Sequence, residues 1–284
     1  MPSERLLDLC TKQLLAGDYH TTLEKAIETY GGIKSYFSRF RNPIGLEVEV
    51  EDAESIHIGL MSNKHVYWKA DSDGSLKIYG IELISSPLSG EGIDYALLEL
   101  ERLFSGKSVL WSHRTSVHVH VNVSDLMIQD LHSLVGLYAL FEEHFFNRVA
   151  EIRRHNPYCY PITLINPEAV KVIDDIKYCA LNIGVVKKYC TVEFRHHHGT
   201  DDWKLLRRWI QICVKLVNFV ERLRSSGVNK RIKEAILYGS YESLAKDIFG
   251  VSVSLFSDIY RLCEKNALWV AAYMEKNQCV DFME

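Results

Sequence analysis

Three stretches of this chain alternate polar and apolar residues, and a period of two admits one local structure, the β-strand. They are GLEVEVE at 45–51, SVHVHVNV at 116–123 and TVEFRHHH at 191–198. Side chains two apart share a face at about 6.5–7 Å. Glu47, Glu49 and Glu51 therefore fall on one side of the first stretch, with Leu46, Val48 and Val50 on the other. Like charges in such a row repel unless water or a cation screens them. The segment is thus either a solvated acidic face or a set of cation ligands.

The other two stretches repeat the pattern. Ser116, His118, His120 and Asn122 oppose a row of valines, and Thr191, Glu193, Arg195 and His197 oppose Val192 and Phe194. Consecutive strand residues point to alternate faces, so His196, His197 and His198 cannot all serve one site; they read as structural or rim residues. Glu82 is a single acid between apolar neighbours. If these strands share a sheet, their polar faces form a floor of Glu, His, Asn and Arg. Carboxylate oxygens and an imidazole suit a hard divalent cation with positions left open for phosphate oxygens. Beside Glu193, Arg195 serves either as a structural ion pair or as a phosphate clamp. The H-x-H pair also suits a zinc- or iron-dependent hydrolase or oxygenase. Against a cupin-type oxygenase, Ser124 and Asp125 stand where that pattern needs Glu. The chain has no G-x-x-x-x-G-K-[ST] loop, G-x-G-x-x-G turn or G-x-S-x-G elbow.

Around these strands the period changes. The first 40 residues carry helical spacing in two pieces, ending at Gly31–Gly32. WKADSDGSLKIYGIELISSP predicts two strands around a turn in which Asp73 supplies turn chemistry and Gly74 a positive φ. GIDYALLELERLFSG predicts an amphipathic helix. A longer helix is expected from a Ser124–Asp125 cap to about Arg153, followed by a Pro-punctuated loop with Arg154, Asn156 and Tyr158. YCALNI and KKYCTVEFRHHHG read as strands, and a helix follows Thr200–Asp201–Asp202. Short helices are expected from about 229 on. The whole predicts an α+β protein, an antiparallel sheet with one face open to ligand and helices on the other. Its parts are a helical segment at 1–43, a core at 44–228 and a helical segment at 229–284.

Composition narrows the function class. With 33 Lys+Arg against 37 Asp+Glu and a net charge of −4, the chain lacks the basic excess of a general nucleic-acid binder. It shows no apolar run long enough to span a bilayer and no signal-peptide pattern, and it reads as cytoplasmic. Seven scattered cysteines without C-x-x-C read as reduced, unreactive thiols.

The motifs GLEVEVE, WKADSDGSLKIYGIELISSPL, SVHVHVNV, YCALN and TVEFRHHHGT, in that order over about 44–210, resemble the amidoligase family. That family is a branch of the carboxylate–amine ligases related to glutamine synthetase and glutamate–cysteine ligase. The resemblance implies a glutamine-synthetase-like catalytic sheet that uses ATP with Mg²⁺ or Mn²⁺. A substrate carboxylate becomes an acyl phosphate, and an amine then displaces phosphate; the partners are small-molecule or peptide acids and amines. Carried over by motif, Glu47, Glu49, Glu82, His118 and Glu193 hold metal. His118, Asn122, Arg154 and Arg195 contact nucleotide, His120 lies near the substrate carboxylate, and Glu193, Arg195 and His120 form the catalytic set. Ser116–Val117 stand where the family often shows Gly before H-x-H, and three His follow E-F-R where it more often shows a mixed aromatic stretch. Oligomeric state is left open, as is a non-catalytic scaffold of the same fold.

Overall fold

The structure is a computed structural model that describes residues 43–62, 65–170, 178–250 and 258–280. The two helices expected within the first 40 residues lie outside the described residues. The alternating stretches become β1 (Ile44–Val50), β4 (Ser116–Asn122) and β6 (Thr191–His198). Three more strands complete an antiparallel sheet: β2 (Trp68–Asp71), β3 (Ile81–Ser85) and β5 (Leu181–Asn182). The order is β2-β3-β1-β4-β6-β5, which puts the H-x-H strand between the acidic strand and the E-F-R strand.

One sheet face is apolar. Leu46, Val48, Leu83, Val117, Val119, Val121, Val192 and Phe194 are all fully buried, each worth roughly 1.5–3 kcal/mol of transfer free energy. That face joins a core with α2 (Glu91–Phe104), α3 (Ile128–Phe146) and α5 (Trp203–Tyr238). Before α2, the short α1 (Glu54–Ser62) follows the first strand; α4 (Val186–Tyr189), α6 (Tyr241–Phe249) and α7 (Ile259–Lys276) complete the helices. The α+β class and the helix-backed antiparallel sheet agree with the sequence reading. As expected, α5 starts after Asp202, whose carboxylate caps it by accepting from the Leu205 N–H at 2.9 Å. The helix breaks at Arg224 (φ 57°, ψ 175°), where buried Asp130 accepts from the Ser225 N–H at 2.6 Å, and runs on across residue 228.

Several local expectations fail for identifiable reasons. Ser124–Asp125 does not cap α3. Its first turn instead uses Asp130, which accepts from the Met127 N–H at 3.0 Å, and the helix ends at Phe146 rather than near 153. Gly74 is not among the residues with positive φ, whereas Ile78 (φ 46°) and Tyr79 (φ 50°) are, because the chain takes a long loop rather than a tight hairpin between β2 and β3. KKY belongs to the helix α4, not to a strand. Glu51 lies past the end of β1 and accepts the Lys77 N–H at 2.6 Å, so it leaves the acidic row. Cys159, Cys179, Cys213, Cys263 and Cys279 are free, and burial pushes the Cys159 thiol up to about 11; Cys190, against expectation, is disulfide-bonded. Among the described residues, no helix is long and apolar enough to cross a membrane.

Candidate active site

Strand register brings the polar residues together. Glu47 pairs across the sheet with His118, His120 with Glu193, and Glu49 with Glu82. Directly opposed side chains lie about 4.5–5.5 Å apart at Cβ, so residues distant in sequence become neighbours. They floor a cleft of about 670 Å³. The face opens into this cleft rather than flat to solvent. Residues around Asp73–Ser75, Arg153–Tyr158 and Tyr178–Tyr189 wall it, and Glu49, His118 and Glu193 are almost fully buried.

His118 is the centre of the floor. Its Nδ1 lies 2.9 Å from Glu47 Oε2 and 3.2 Å from Glu193 Oε1. Its Nε2 lies 2.8 Å from Ser116 Oγ, and Ser116 donates to Glu49 at 2.5 Å. Two groups of possible ligand atoms, each within 4.8 Å of one another, result: Glu47, His118 and Glu193, and Glu49, Glu82 and His118. The shared imidazole joins them. Asn182 donates to Glu193 Oε2 at 2.5 Å, and Arg195 pairs with Glu193 Oε1 while its Nε donates to the Tyr158 carbonyl at 3.1 Å.

The electrostatics follow from this crowding. Burial favours a neutral Glu47, but the charges and hydrogen bonds of His120 and His118 outweigh it and hold the carboxyl well below the usual carboxylate range. Among the described residues Glu82 forms no ion pair with either ring. Burial, and then the charges of Glu47, Glu49, Asp73 and Glu193, push it up to about 8. For His120, burial opposes the charge, yet Glu47 and Glu193 raise it to about 9. Its Nε2 is buried and lies 3.2 Å from Glu47 Oε1, so the ring is aimed at the acids. Two carboxylates with one imidazole in each ligand group fit a hard divalent cation, which would relieve the repulsion that holds a proton on Glu82. Neither group contains both imidazoles of H-x-H, so the donor set matches the zinc or iron reading less well.

A β-bulge corrects the reading of the triple His. Val117 pairs with His197 but Val119 with Phe194, so one residue of β4, His118, stands opposite two of β6, Arg195 and His196. The extra residue reverses the alternation. Arg195 stays on the cleft side, but His196 and His197 both fall on the core side, fully buried. His196 packs among Phe146, Phe145 and Trp209, with the nearest ring centroid at 4.9 Å; His197 lies over Trp209 at 5.7 Å. The expected polar set of Thr191, Glu193, Arg195 and His197 thus loses His197.

Of the residues singled out in the sequence, Glu47, Glu49, Glu82, His118, His120, Glu193 and Arg195 line the cleft together. Two do not. Asn122 spends its side-chain oxygen on the Ser124 N–H at 3.2 Å, and Arg154 turns outward to Glu143 at 2.6 Å and Asn147 at 2.9 Å. Asp73 forms the expected turn, accepting from the Ser75 N–H at 2.7 Å, yet it also faces the cleft. Sequence reasoning put Ser116 on the polar face without a role and passed over Arg114, Arg153, Tyr178, Asn182, Lys188 and Tyr189; all of these line it. Ser116 and Asn182 sat inside recognised motifs, and their positions opposite acids were the available signal. Arg114, Arg153 and Tyr178 come from connections between elements, and Lys188 and Tyr189 from the short α4, none of which a period marks.

A family model described as "Putative amidoligase enzyme" matches residues 19–180, and no curated protein matches the chain. The match starts upstream of β1, beyond the stretch in which the motifs were found, and stops before β6, so Glu193 and Arg195 rest on register and motif alone. It takes in the acidic strand, the D-G-S turn and the H-x-H strand that build most of the cleft floor, and it spans more than half of the sequence: the chain belongs to the amidoligase family.

Proposed function

We propose that this protein is an ATP-dependent carboxylate–amine ligase that forms an amide or peptide bond through an acyl phosphate, on a catalytic sheet of glutamine-synthetase type. The observation that carries this reading is the pair of carboxylate–imidazole groups joined at His118, with the Arg195 guanidinium beside them. Phosphoryl transfer needs alignment and charge neutralisation rather than a protein nucleophile, and this cleft offers both.

In this reading Glu47, Glu49, Glu82, Glu193 and His118 hold Mg²⁺ or Mn²⁺. The bound cation supplies charge neutralisation at the phosphate oxygens of ATP. Arg195, planar and always charged, moves from Glu193 to the transferring phosphoryl group. His120, kept protonated by Glu47 and Glu193, gives the substrate carboxylate a buried positive partner close to the phosphoryl group. Attack of that carboxylate on the γ-phosphorus releases ADP; attack of the amine on the acyl carbon then releases phosphate, and the amine nitrogen loses a proton. Alternatives using H-x-H for zinc or iron hydrolysis, or keeping the fold as a scaffold, have less support in the donor set.

The test is phosphate release from ATP with Mg²⁺ or Mn²⁺ across pools of amino acids, peptides and other acids paired with amines, alongside thermal stabilisation by the same ligands. Release that requires both an acid and an amine is the expected result. Stabilisation by Zn²⁺ with no response to ATP would replace the ligase reading with the hydrolase one.

A further inference from the structure

The bulge at Arg195–His196 lies where β6 has little support on its β5 side. β5 pairs with it only at Leu181–Phe194 and Asn182–Glu193, with one further bond from the Arg195 N–H to the Ala180 carbonyl at 2.8 Å. Beyond that point Arg153 supplies the donors. Its Nε donates to the His196 carbonyl at 3.1 Å and its Nη2 to the Arg195 carbonyl at 2.7 Å. One rigid fork therefore holds both residues of the bulge. Arg153 is 1% exposed and, among the described residues, forms no ion pair with a carboxylate. A buried guanidinium in that state loses hydration without a full counter-charge, so two backbone hydrogen bonds are a poor return unless the geometry they fix matters.

The side chain of the extra residue is held separately. His196 Nε2 lies 2.7 Å from the Tyr138 hydroxyl, which donates to Glu142 at 2.7 Å. Glu142 also accepts the Ile162 N–H at 2.7 Å and the Thr163 N–H at 3.0 Å, tying this chain of contacts to α3 and the loop after it. The backbone of the bulge is thus gripped from the Arg153 side and its imidazole from the helix side.

We propose that Arg153 is a positioning residue: by clamping the Arg195 and His196 carbonyls it fixes the bulge and so keeps the Arg195 guanidinium in the cleft. Without the clamp, β6 can relax toward regular pairing. Regular pairing would draw the two carbonyls into the ladder and swing the Arg195 guanidinium away from Glu193 and the Tyr158 carbonyl. The effect on turnover rests on the ligase reading; the orientation of Arg195 does not.

The experiment compares Arg153→Gln and Arg153→Lys with the unmodified full-length chain, using nuclear magnetic resonance of isotope-labelled protein. The probe is the Arg195 Nε–H, which donates to the Tyr158 carbonyl and is assigned by its disappearance in Arg195→Lys. In both Arg153 variants this signal is expected to lose its protection from solvent exchange, while the amides of β1 and β3 keep theirs. Phosphate release should fall about 100-fold in kcat, with KM for ATP held within about threefold, the pattern of a misplaced rather than missing group. An unchanged Arg195 signal in a folded variant overturns the clamp. So does restoration by Lys alone, which would assign the effect to charge instead of the fork. If neither Arg153 variant folds, Tyr138→Phe, which removes the anchor of His196, takes their place. It should weaken the same signal to a smaller degree, and an unchanged signal there overturns the proposal. Wild-type protein that shows no ATP-dependent phosphate release counts against the ligase reading and leaves the resonance test of the clamp standing.

Discussion

His120 and His197 belong to neighbouring strands of one sheet, both almost fully buried, yet they are driven to opposite states. His120 faces Glu47 and Glu193, and despite burial its pKa is raised to about 9. His197 faces Trp209 on the core side, where burial, with Arg153 and His198 adding like charge, pulls it down to about 4. Burial likewise holds His196 beside it well below the ordinary imidazole range. Burial pushes both groups toward neutrality; two carboxylates reverse the outcome in one case. The lesson is that an imidazole's role here is set by the sheet face it occupies, and a single inserted residue in β6 decides that face.

The largest effect expected from breaking this contrast is that of Glu193→Gln. It removes a carboxylate that lies 3.2 Å from His118 Nδ1 and also pairs with Arg195. ATP turnover should fall by three orders of magnitude or about that, with the far-ultraviolet circular dichroism unchanged. Retained turnover would remove Glu193 from the site. Arg195→Lys comes next. Lys keeps the charge but lacks the fork, so kcat should drop about 100-fold while ATP affinity changes little. An equal loss in both measures would refute that division of roles.

Metal affinity should depend on pH. Glu82 is held protonated to about pH 8 by burial and its acidic neighbours, so a cation that takes it as a ligand must displace that proton. Mn²⁺ affinity should therefore rise with pH, about tenfold per unit at most, and level off above pH 8. Calorimetry in buffers of different ionisation enthalpy measures the proton released; none released below pH 8 would exclude Glu82 as a ligand.

Imidazole titration by nuclear magnetic resonance tests the contrast itself. In metal-free protein His120 should remain protonated at pH 8, and His197 should remain neutral down to about pH 4. The linkage has a definite sign. His197 binds its proton more weakly folded than unfolded, so its contribution is complete above the unfolded pKa near 6.5. That contribution falls away as pH drops from there toward 4, by roughly 3 kcal/mol at most. If both rings titrated near 6.5, the two-face account would fail. The smallest effect belongs to Arg154→Ala, which should leave turnover within about twofold, because that side chain is bound to Glu143 and Asn147 outside the cleft.

Much of this was legible before any fold was known. Strict alternation assigned Glu47, Glu49, His118, His120, Glu193 and Arg195 to polar strand faces, and the family motifs linked those faces. Asn122 and Arg154 fall outside the cleft because neither a strand position nor a loop position reveals what else a side chain can bond: Asn122 meets the Ser124 amide, and Arg154 meets an acid on α3. Arg114 and Arg153 come from connecting segments and Lys188 from the short α4, where no periodicity relates a residue to the strands it will face.

By itself the sequence determined which residues form strands and which side of each strand is polar, because a period of two is a property of local backbone geometry. Only the tertiary structure decided which polar rows face one another, that β6 carries a bulge, and therefore which imidazoles lie among carboxylates and which among aromatic rings. Register and bulges are set by contacts between segments far apart in the chain, and those contacts leave no mark on the alternation.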